Sequence, residues 1–588
     1  MQEINEDKTI KSDLEYKKIA DLLFPSIASG HQHDRAYFES LYLNEEILKT
    51  QRLKNNGEEY LRLAPSPTGE LHAGALYLAT ISDIVAHKNG GKLIIRIEDT
   101  DKVREVEGTK ERMVKYLSYF NIKIDEGLIL ENINGVSDEV ISDFNLTEIG
   151  NYGPYVQSQR THIYNAFLYD FILKGFAYPC FMTSVELDAM REEQTVMKTR
   201  PGVYGKYANG KDMTYDEVKN KIEQKDKNGE SQKYVIRLNS NGDFSKKRKF
   251  NDEIMGDLEL SENDEHFVIA KGDGVPTYHF AHLIDDYTMG VTYVIRANEW
   301  VASITKHLEL WDKLGAQPIK YGHIMPINKK DGNSVRKLSK RKDPEASVSY
   351  YIEQGYTVDA VKSYLMRLAN PSFDAWWDTE VTQAAKENRE INYVNYISYF
   401  NFDELKRNSR GPLLDFDKLN NISADIVGSM SAKDVSEKIL DWSKINDIEF
   451  FNIISKDKNY LEKVLNIERA GETKRKDIYN WSVAKSNIFY MWDELYVSGD
   501  IEESKKEILS EIEKNINEDK YFDMSIDIPK WIRCFKEICI NNEILNKYKF
   551  GEIMMVLRQK ITGLEKTPNL YFIFNVLGKD RVLYRLSK

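Results

Sequence analysis

The sequence predicts an α/β protein that combines a doubly wound parallel sheet, an inserted α+β domain and an all-α carboxyl-terminal region. Three observations support this prediction. Near the amino terminus a strand, a helix and a second strand follow one another within about 40 residues. The middle third interrupts this alternation with strands and loops rich in Gly, Asn and Lys, and the chain beyond about residue 380 has a mostly helical pattern.

The first βαβ unit starts at residue 61. The apolar stretch LRLA (61–64) indicates a strand, HAGALYLATISDIVAHKN (72–89) a helix that ends at Gly90 and Gly91, and KLIIRI (92–97) a buried parallel strand. Parallel strands joined by a helix build doubly wound sheets, so we expect a Rossmann-like domain. The alternation resumes at the strand VTYVIR (291–296).

Periodicity and composition divide the chain into segments. The predicted segments are a helical extension of unknown role (1–57), the first half of the Rossmann-like domain (58–145), the insertion (146–265), the second half with a lysine-rich loop (266–380) and a helical region (381–588). In the last segment, ESKKEILSEIEKNIN (503–517) predicts an amphipathic helix with one apolar face, made of Ile508, Leu509, Ile512 and Ile516.

Composition excludes several classes of protein. No stretch approaches the roughly 18 uncharged apolar residues of a membrane-spanning helix, so no membrane partner is expected. The charged start MQEINEDKTIKSD lacks the apolar region of a signal peptide. Cys180, Cys534 and Cys539 form no C-x-x-C pair and cannot build a disulfide framework, which favours a reducing, cytoplasmic setting and argues against a zinc site.

The net charge of −12 argues at first against a nucleic-acid partner. Phosphate binding depends on local basic patches, however, and two are present. SKKRK (245–249) is one, and KKDGNSVRKLSKRK (329–342), with seven basic residues and one Asp, is the other. An acidic protein with such patches is able to hold RNA in a salt-sensitive way.

His72 and Gly74 stand at the corner between the first strand and its helix. Ligands of open α/β sheets bind at the carboxyl ends of the strands, where a glycine admits a phosphate and a histidine donates a hydrogen bond to it. The corner is neither G-x-G-x-x-G nor a Walker loop. Taken by itself, His72 is better explained as a helix cap or a surface residue.

The loop RKLSKRK offers a second set of candidate residues, Lys337, Ser339 and Lys340. Two lysines that reach a triphosphate would stabilise the charge that develops as pyrophosphate leaves. The alternative is a solvated basic surface, which is the usual explanation of a lysine-rich run.

Together, in this order on one α/β frame, the two segments resemble the paired signatures of class I aminoacyl-tRNA synthetases. The resemblance is closest to the glutamyl-tRNA synthetases of bacterial type. Their successive motifs are similar to RLAPSPTGELHAGAL, IIRIEDTD, GPYVQSQR, VPTYHFAHLIDDYTMGVTYVIRANEW and KLSKRKDP, which cover about residues 61–345. FDKLN (416–420) resembles a motif of the family's helical anticodon-binding region.

This resemblance implies a two-step reaction. Glutamate is activated by ATP with Mg²⁺ to glutamyl-adenylate, in a step that generally requires bound tRNA, and is then transferred to the 3′ end of tRNA-Glu. The insertion would hold the acceptor end and the helical region would read the anticodon. A monomer is the family expectation, and whether tRNA-Gln is also a partner stays open.

The resemblance also implies roles for individual residues. The catalytic set is His72, Gly74, Lys337, Ser339 and Lys340, and the ATP-binding set is His72, Gly74, Glu299 and Lys340. The glutamate-binding set is Arg62, Ser66, Glu98, Tyr278, His282 and Arg296. An acid suits the ammonium group and arginines suit carboxylates. The last position of the first motif is Ala75 here, and His282 replaces an asparagine of some members. Tyr278 as a core residue and Glu98 with Asp101 as a solvated turn remain alternatives.

Three rival interpretations remain, and Arg296 bears on the first of them. Glutaminyl enzymes lack an arginine at the matching position, because the uncharged amide of glutamine needs no cation there and would leave the charge of the arginine unpaired. A shortened paralogue that glutamylates a modified tRNA base would lack the helical region, and a non-catalytic homologue would tend to lose His72, Lys340 or Arg296. The sequence therefore favours a glutamate-specific enzyme.

Overall fold

The computed structural model describes residues 11–43, 58–88, 90–101, 104–131, 145–225, 231–387, 389, 400–405, 411–469, 475–516, 521–522 and 525–587. These residues form two compact units. The first holds the described residues from 11 to 346 with 401–405 and 411–413, and the second holds those from 347 to 400 and from 414 to 587.

The strands all lie in the first unit. In chain order they are β1 (Tyr60–Leu63), β2 (Lys92–Ile95), β3 (Glu126–Leu130), β4 (Leu146–Ile149), β5 (Ala177–Cys180), β6 (Val235–Leu238), β7 (Lys247–Asp252), β8 (Gly256–Ser261), β9 (Val268–Lys271), β10 (Tyr293–Ala297), β11 (Lys320–Ile324), β12 (Asn328–Asp331) and β13 (Ser334–Lys337). The central sheet has the order β11-β10-β1-β2-β3-β4, with five parallel strands and an antiparallel edge strand, β4.

This order confirms the predicted doubly wound sheet. The chain runs from β1 through β2 to β3 on one side and returns to β10 and β11 on the other, so the strand order reverses between β1 and β10. The helix Ala73–Lys88 makes the first crossover, which confirms the helix predicted over residues 72–89. Asn89 lies outside the described residues. Gly90 follows with a φ of 78°, which lets the chain turn back into β2. The carboxyl ends of β1 and β10 therefore meet at a switch point, where such sheets bind ligands.

Each described helix belongs to one of the two units. Those of the first unit are Asp13–Leu23, Pro25–Ala28, Arg35–Tyr42, Ala73–Lys88, Thr109–Tyr119, Thr161–Leu173, Ser184–Val196, Tyr215–Glu223, Tyr278–Thr288, Ile304–Leu314 and Phe402–Leu405. Those of the second are Val348–Glu353, Val358–Ala369, Ser372–Glu387, Phe416–Ser429, Ala432–Asn446, Ile448–Ile454, Lys458–Leu465, Ala484–Ile488, Lys506–Asn515, Ile528–Asn541, Phe550–Thr562, Leu570–Leu577 and Lys579–Ser587.

The inserted part contains an antiparallel sheet, β5-β6-β9, and the hairpin β7-β8. Its limits in the structure differ from residues 146 and 265. β4, at the predicted start, pairs with β3 in the central sheet, and β9, just beyond the predicted end, pairs with β6. Both differences concern short strands, whose sheet partners are distant in sequence and leave no local pattern.

The second unit is built from helices in its described part, as the pattern beyond residue 380 predicts. The predicted apolar face within 503–517 is formed by the helix Lys506–Asn515, which buries Ile508 and Ile512. Residues 347–380, which we expected with the catalytic half, cluster with this unit. Within the described ranges of both units, no helix has the length and apolar character needed to cross a membrane.

The amino-terminal helices pack against the core of the first unit. Of the predicted extension, residues 1–10 and 44–57 lie outside the described residues. Ile19, Phe24 and Phe38 belong to the same buried cluster as the helix Thr161–Leu173. Arg35 ties these helices down, since its guanidinium donates 2.7 Å hydrogen bonds to the Asp170 carboxylate and to the Leu314 carbonyl. The described helices of the extension are thus an integral part of the first unit.

Replacing Arg35 with methionine tests this attachment. Methionine keeps the length of the stem but removes the charge-assisted hydrogen bonds to Asp170 and Leu314, so the free energy of unfolding should fall by about 2 kcal/mol. Urea denaturation measures the change. The matched control is Arg191→Met, which removes an exposed ion pair with Asp188 and should cost about 0.5 kcal/mol or less. Equal losses for the two variants would contradict the role of Arg35.

Candidate active site at the carboxyl ends of β1 and β10

A cavity of about 510 Å³ opens at the switch point. Its walls come from the loop after β1, from residues 98–104 after β2, and from β10 with the turn that follows it. Of the predicted glutamate-binding residues, those that line it are Arg62, Ser66, Glu98, Tyr278 and Arg296. His282 does not line the cavity, because its buried ring lies between Asp286 and another histidine, His307.

A buried arginine, Arg96, contacts Glu98 directly and is linked to Arg62 through Asp286. Arg96 donates to the Glu98 carboxylate at 2.9 Å and to Asp286 at 2.8 Å, while Arg62 donates to the same Asp286 oxygen at 3.3 Å. Burial alone would raise the pKa of Asp286, but Arg62, Arg96 and His282 together hold it well below its ordinary value. Asp286 is therefore ionised and joins the two arginines.

Asp285, the neighbour of Asp286, anchors the same network from behind. Its carboxylate accepts a 2.7 Å hydrogen bond from Arg160 and a 2.8 Å hydrogen bond from the Tyr164 hydroxyl, and it forms a 3.3 Å ion pair with Arg96. Gln157 adds a further hydrogen bond at 2.9 Å. Three arginines and three carboxylates thus compensate one another in the wall of the cavity.

Glu98 is the acid of this wall. Burial raises its pKa, whereas the positive charges of Arg96 and Arg62 act in the opposite direction. A carboxylate in this position suits an ammonium group, and binding of such a group would favour its ionised form.

Arg296 lies in β10 with the side chain buried beside β11. Its Nε donates to His323 Nε2 at 2.9 Å, and one terminal nitrogen donates to His307 Nδ1 at 3.1 Å. The guanidinium carbon is 4.8 Å from the centre of the Tyr321 ring. Its other terminal nitrogen is buried without a hydrogen-bond partner among the described residues, as is one terminal nitrogen of Arg62. Both residues line the cavity, and each has one terminal nitrogen to which no described residue is hydrogen-bonded.

The hydrogen bonds of Arg296 fix the protonation of its histidines. Because Arg296 only donates, His307 must accept at Nδ1 and carry its proton at Nε2, which lies 3.1 Å from His282 Nε2. By the same argument His323 carries its proton at Nδ1, 2.5 Å from Asp252. Burial lowers the pKa of His307 far below its ordinary value and that of His282 to about 4. These imidazoles are neutral at pH 7.

The corner at His72 combines a helix cap with a second hydrogen bond. His72 Nδ1 accepts from the Gly74 amide at 2.8 Å at the start of the helix Ala73–Lys88, so the interpretation as a cap holds. Desolvation and then Lys340 lower the pKa of His72, opposed by a hydrogen bond to the backbone of Leu338. The lysine-rich loop therefore returns to the strand-to-helix corner.

Four basic residues of that loop form two groups with different partners. Arg336 donates to both oxygens of Asp343, at 2.6 and 2.8 Å, and Lys329 donates to Asp343 at 3.2 Å. The Ser339 amide also donates to Asp343, at 3.0 Å. These contacts fold the loop behind the hairpin β12-β13 and shape its backbone.

Lys337 and Lys340 form the second group, and they extend toward the corner. Lys337 forms an exposed ion pair with Glu299, and the Lys340 ammonium donates to the Glu70 carbonyl just before His72. The predicted ATP-binding residues thus lie near one another, at the edge of the first unit that holds the cavity.

Comparison with known proteins agrees with this geometry. Residues 60–406 match the family described as tRNA synthetases class I (E and Q), catalytic domain, and residues 438–588 match an anticodon binding domain. The chain belongs to the class I tRNA synthetases of the E and Q group. This membership gives the chain ATP and tRNA as substrates.

Named relatives cover almost the whole chain. It is 37% identical to the glutamate–tRNA ligase of Clostridium perfringens strain 13 over 589 residues, which are 97% of this chain and 100% of the relative. It is 34% identical to the glutamate–tRNA ligase of Acetivibrio thermocellus over 98% of this chain and 100% of the relative. The crystal structure of a glutamate tRNA ligase from Elizabethkingia meningosepticum shares the fold, with a TM-score of 0.67 at 24% identity over 90% of this chain and 98% of that one.

Sequence reasoning missed five residues of this synthetase site: Arg96, Asp285, Asp286, His307 and His323. A signal existed for the first three, because consecutive acids in an apolar helix and an arginine in an apolar strand must find buried partners. The two histidines lie outside the quoted motifs. They reach Arg296 only through the register of β10 with β11, in which Arg296 is opposite His323, and through the packing of the helix Ile304–Leu314.

Asp285→Asn tests the network of the synthetase wall. The amide keeps the shape but leaves Arg96 and Arg160 without this compensating charge, so the free energy of unfolding should fall by about 3–5 kcal/mol. Urea denaturation provides the measurement. The same substitution at Asp188, in an exposed pair with Arg191, should change stability by less than about 1 kcal/mol. A small loss at Asp285 would show that the network does not depend on its charge.

Proposed function

We propose that the chain is a glutamate–tRNA ligase, which activates glutamate with ATP and transfers it to the 3′ end of tRNA-Glu. One observation carries the choice of amino acid. Arg296 offers the cavity a buried N–H group, and the two residues to which it donates are neutral histidines. A side-chain carboxylate would supply the missing negative charge, and an amide would not. The names of the relatives from Clostridium and Acetivibrio support the same choice.

In the proposed first step the α-carboxylate of glutamate attacks the α-phosphorus of ATP. The bond to pyrophosphate breaks and glutamyl-adenylate forms. Arg62, Ser66 and Tyr278 orient the amino acid, and Glu98 receives the ammonium group. His72 exchanges its hydrogen bond to the backbone of Leu338 for one to a phosphate oxygen, and Lys340 stabilises the charge of the departing pyrophosphate.

The remaining ATP-site residues have supporting roles in this proposal. Gly74 lets the nucleotide approach the backbone at the helix start, and Lys337, Ser339 and Glu299 shape the phosphate side. Mg²⁺ enters with ATP and is held by its phosphates. Among the residues that the structure describes, no group of three His, Cys, Asp or Glu side chains could hold a metal ion.

In the second step a hydroxyl of the terminal tRNA adenosine attacks the acyl carbon, forms the ester and releases AMP and a proton. We infer that the inserted part, which contains β5 to β9, holds the acceptor end and that the helical region reads the anticodon. The basic run on β7 supplies phosphate contacts. Glutamate activation is expected to require bound tRNA, and the enzyme is expected to act as a monomer.

Charging of purified tRNA-Glu and tRNA-Gln tests the proposal. Each tRNA is offered labelled glutamate and, separately, labelled glutamine with ATP and Mg²⁺. We expect glutamate, and not glutamine, on tRNA-Glu. Glutamate on tRNA-Gln as well would define a relaxed anticodon reader. Attachment of glutamine would favour the glutaminyl alternative, and the absence of any charging or ATP use would favour a non-catalytic homologue.

Lys340→Ala tests the first step. Loss of the ammonium group should lower the rate of ATP–pyrophosphate exchange in the presence of tRNA by roughly 10²- to 10³-fold. The KM for glutamate should change by less than about threefold, because Lys340 acts on the phosphates and not on the amino acid. Lys342→Ala, an exposed residue of the same loop, is the control and should keep near-normal exchange. An equal loss of rate and glutamate binding in Lys340→Ala would contradict the assigned role.

A further inference from the structure

Arg296 differs from the arginines of the buried network around Asp285 and Asp286 in the charge of its partners. Arg62, Arg96 and Arg160 each contact the carboxylate of Asp285 or Asp286. Arg296 instead donates to two imidazole nitrogens, on His323 and His307, and no described carboxylate lies within ion-pair distance of it. Its side chain is nevertheless buried, with the residue only 4% exposed.

The two histidines reach Arg296 from separate elements. His323 faces it across the paired strands β10 and β11, and His307 comes from the helix Ile304–Leu314. With the ring of Tyr321 stacked near the guanidinium, they leave the side chain little freedom to turn. Arg296 lines the cavity, and one of its terminal nitrogens has no hydrogen-bond partner in the described part of the chain.

Asp252 fixes the contact between His323 and Arg296. It is the last residue of β7, and one of its oxygens accepts the backbone amides of Ile254 and Met255 at 3.0 and 2.8 Å. The other oxygen accepts the Nδ1 proton of His323. His323 is thereby obliged to present its Nε2 lone pair to Arg296. The carboxylate itself remains one whole imidazole ring away from the guanidinium.

We propose that His307 and His323 are positioning residues for amino-acid specificity. They hold Arg296 through neutral acceptors, so that its orientation is fixed while its positive charge stays available for the carboxylate of the substrate side chain. This inference rests on the proposed glutamate–tRNA ligase activity and deepens it.

The physical reason is the cost of buried charge. A carboxylate in place of either imidazole would orient Arg296 equally well but would also neutralise it. The side chain of glutamate would then add an uncompensated negative charge to a buried site, whereas the uncharged amide of glutamine would not. Neutral partners therefore favour a charged substrate, and anionic partners would favour a neutral one.

The matched pair His307→Asn and His307→Asp separates orientation from charge. Both side chains place an oxygen near the position of Nδ1, and only the second is anionic. We expect His307→Asn to keep the ratio of kcat/KM for glutamate to that for glutamine within about fivefold of wild type. His307→Asp should lower this ratio by roughly 100-fold relative to His307→Asn, mainly through a higher KM for glutamate.

The outcomes distinguish this inference from the proposed function. If wild-type protein does not charge tRNA with glutamate, the proposed function fails, whatever the variants do. If wild type is active and the two variants have the same glutamate-to-glutamine ratio, the charge argument fails and the function stands. Thermal unfolding of both variants shows whether either change acts only by loss of the fold.

A second pair of variants tests His323 should His307→Asp not fold. Asp252→Asn no longer obliges His323 to keep its proton at Nδ1, so the KM for glutamate should rise roughly tenfold with kcat little changed. Adding His323→Gln restores a neutral acceptor for Arg296 and an amide donor for Asn at 252, and it should lower the KM again. If Asp252→Asn leaves the KM unchanged, or if the double variant shows no recovery, the positioning role of His323 is excluded.

Discussion

Buried charge, and the requirement that it be compensated, is the constraint on which this site depends. Arg96 and Asp285 are both fully buried at the crossing of β2 with the helix Tyr278–Thr288. Neither would be tolerated alone, because an unpaired buried charge costs several kcal/mol. Joined through Asp286 and Arg160, they form a rigid frame from which Arg62 and Glu98 project into the cavity. The substrate groups that the cavity accepts are thus set by which charges the frame leaves incompletely matched.

The buried network around Arg96 and the surroundings of Arg296 differ in how they compensate positive charge. In the frame, every arginine contacts a carboxylate, and the result is structural. At Arg296 the contacts are neutral, and the charge is left for a ligand. Both arrangements lie in one continuous wall, so an additional acid near Arg296 would turn a recognition group into another structural pair. Histidine suits this boundary, since a buried imidazole accepts a hydrogen bond while its pKa stays low.

The sequence predicts the parts of the fold that have a local signature. β1 and β2 are apolar runs, and Gly90 follows the helix Ala73–Lys88. Arg62 and Arg296 stand in β1 and β10, and Glu98 follows β2, so all three lie near the carboxyl ends of neighbouring strands. Contacts between distant segments leave no such signature. His323 finds Arg296 only because β11 pairs with β10, and Asp252 finds His323 only because the hairpin β7-β8 of the insertion packs there. The pairing of β4 with β3 and of β9 with β6, near the predicted limits of the insertion, is of the same kind.

The loop that carries Lys337 and Lys340 combines a strongly bonded base with two weakly bonded lysines. Asp343 binds Arg336 and Lys329 and so fixes the base of the loop. The two lysines have weaker partners: Lys337 pairs with the exposed Glu299 carboxylate, and Lys340 donates to the backbone carbonyl of Glu70. The side chains of Lys337 and Glu299 are 50% and 57% exposed, and such surface pairs contribute only about 0–1 kcal/mol. In the proposed ATP site a triphosphate, which carries more charge than either partner, would displace these contacts at little cost while the contacts of Asp343 remain.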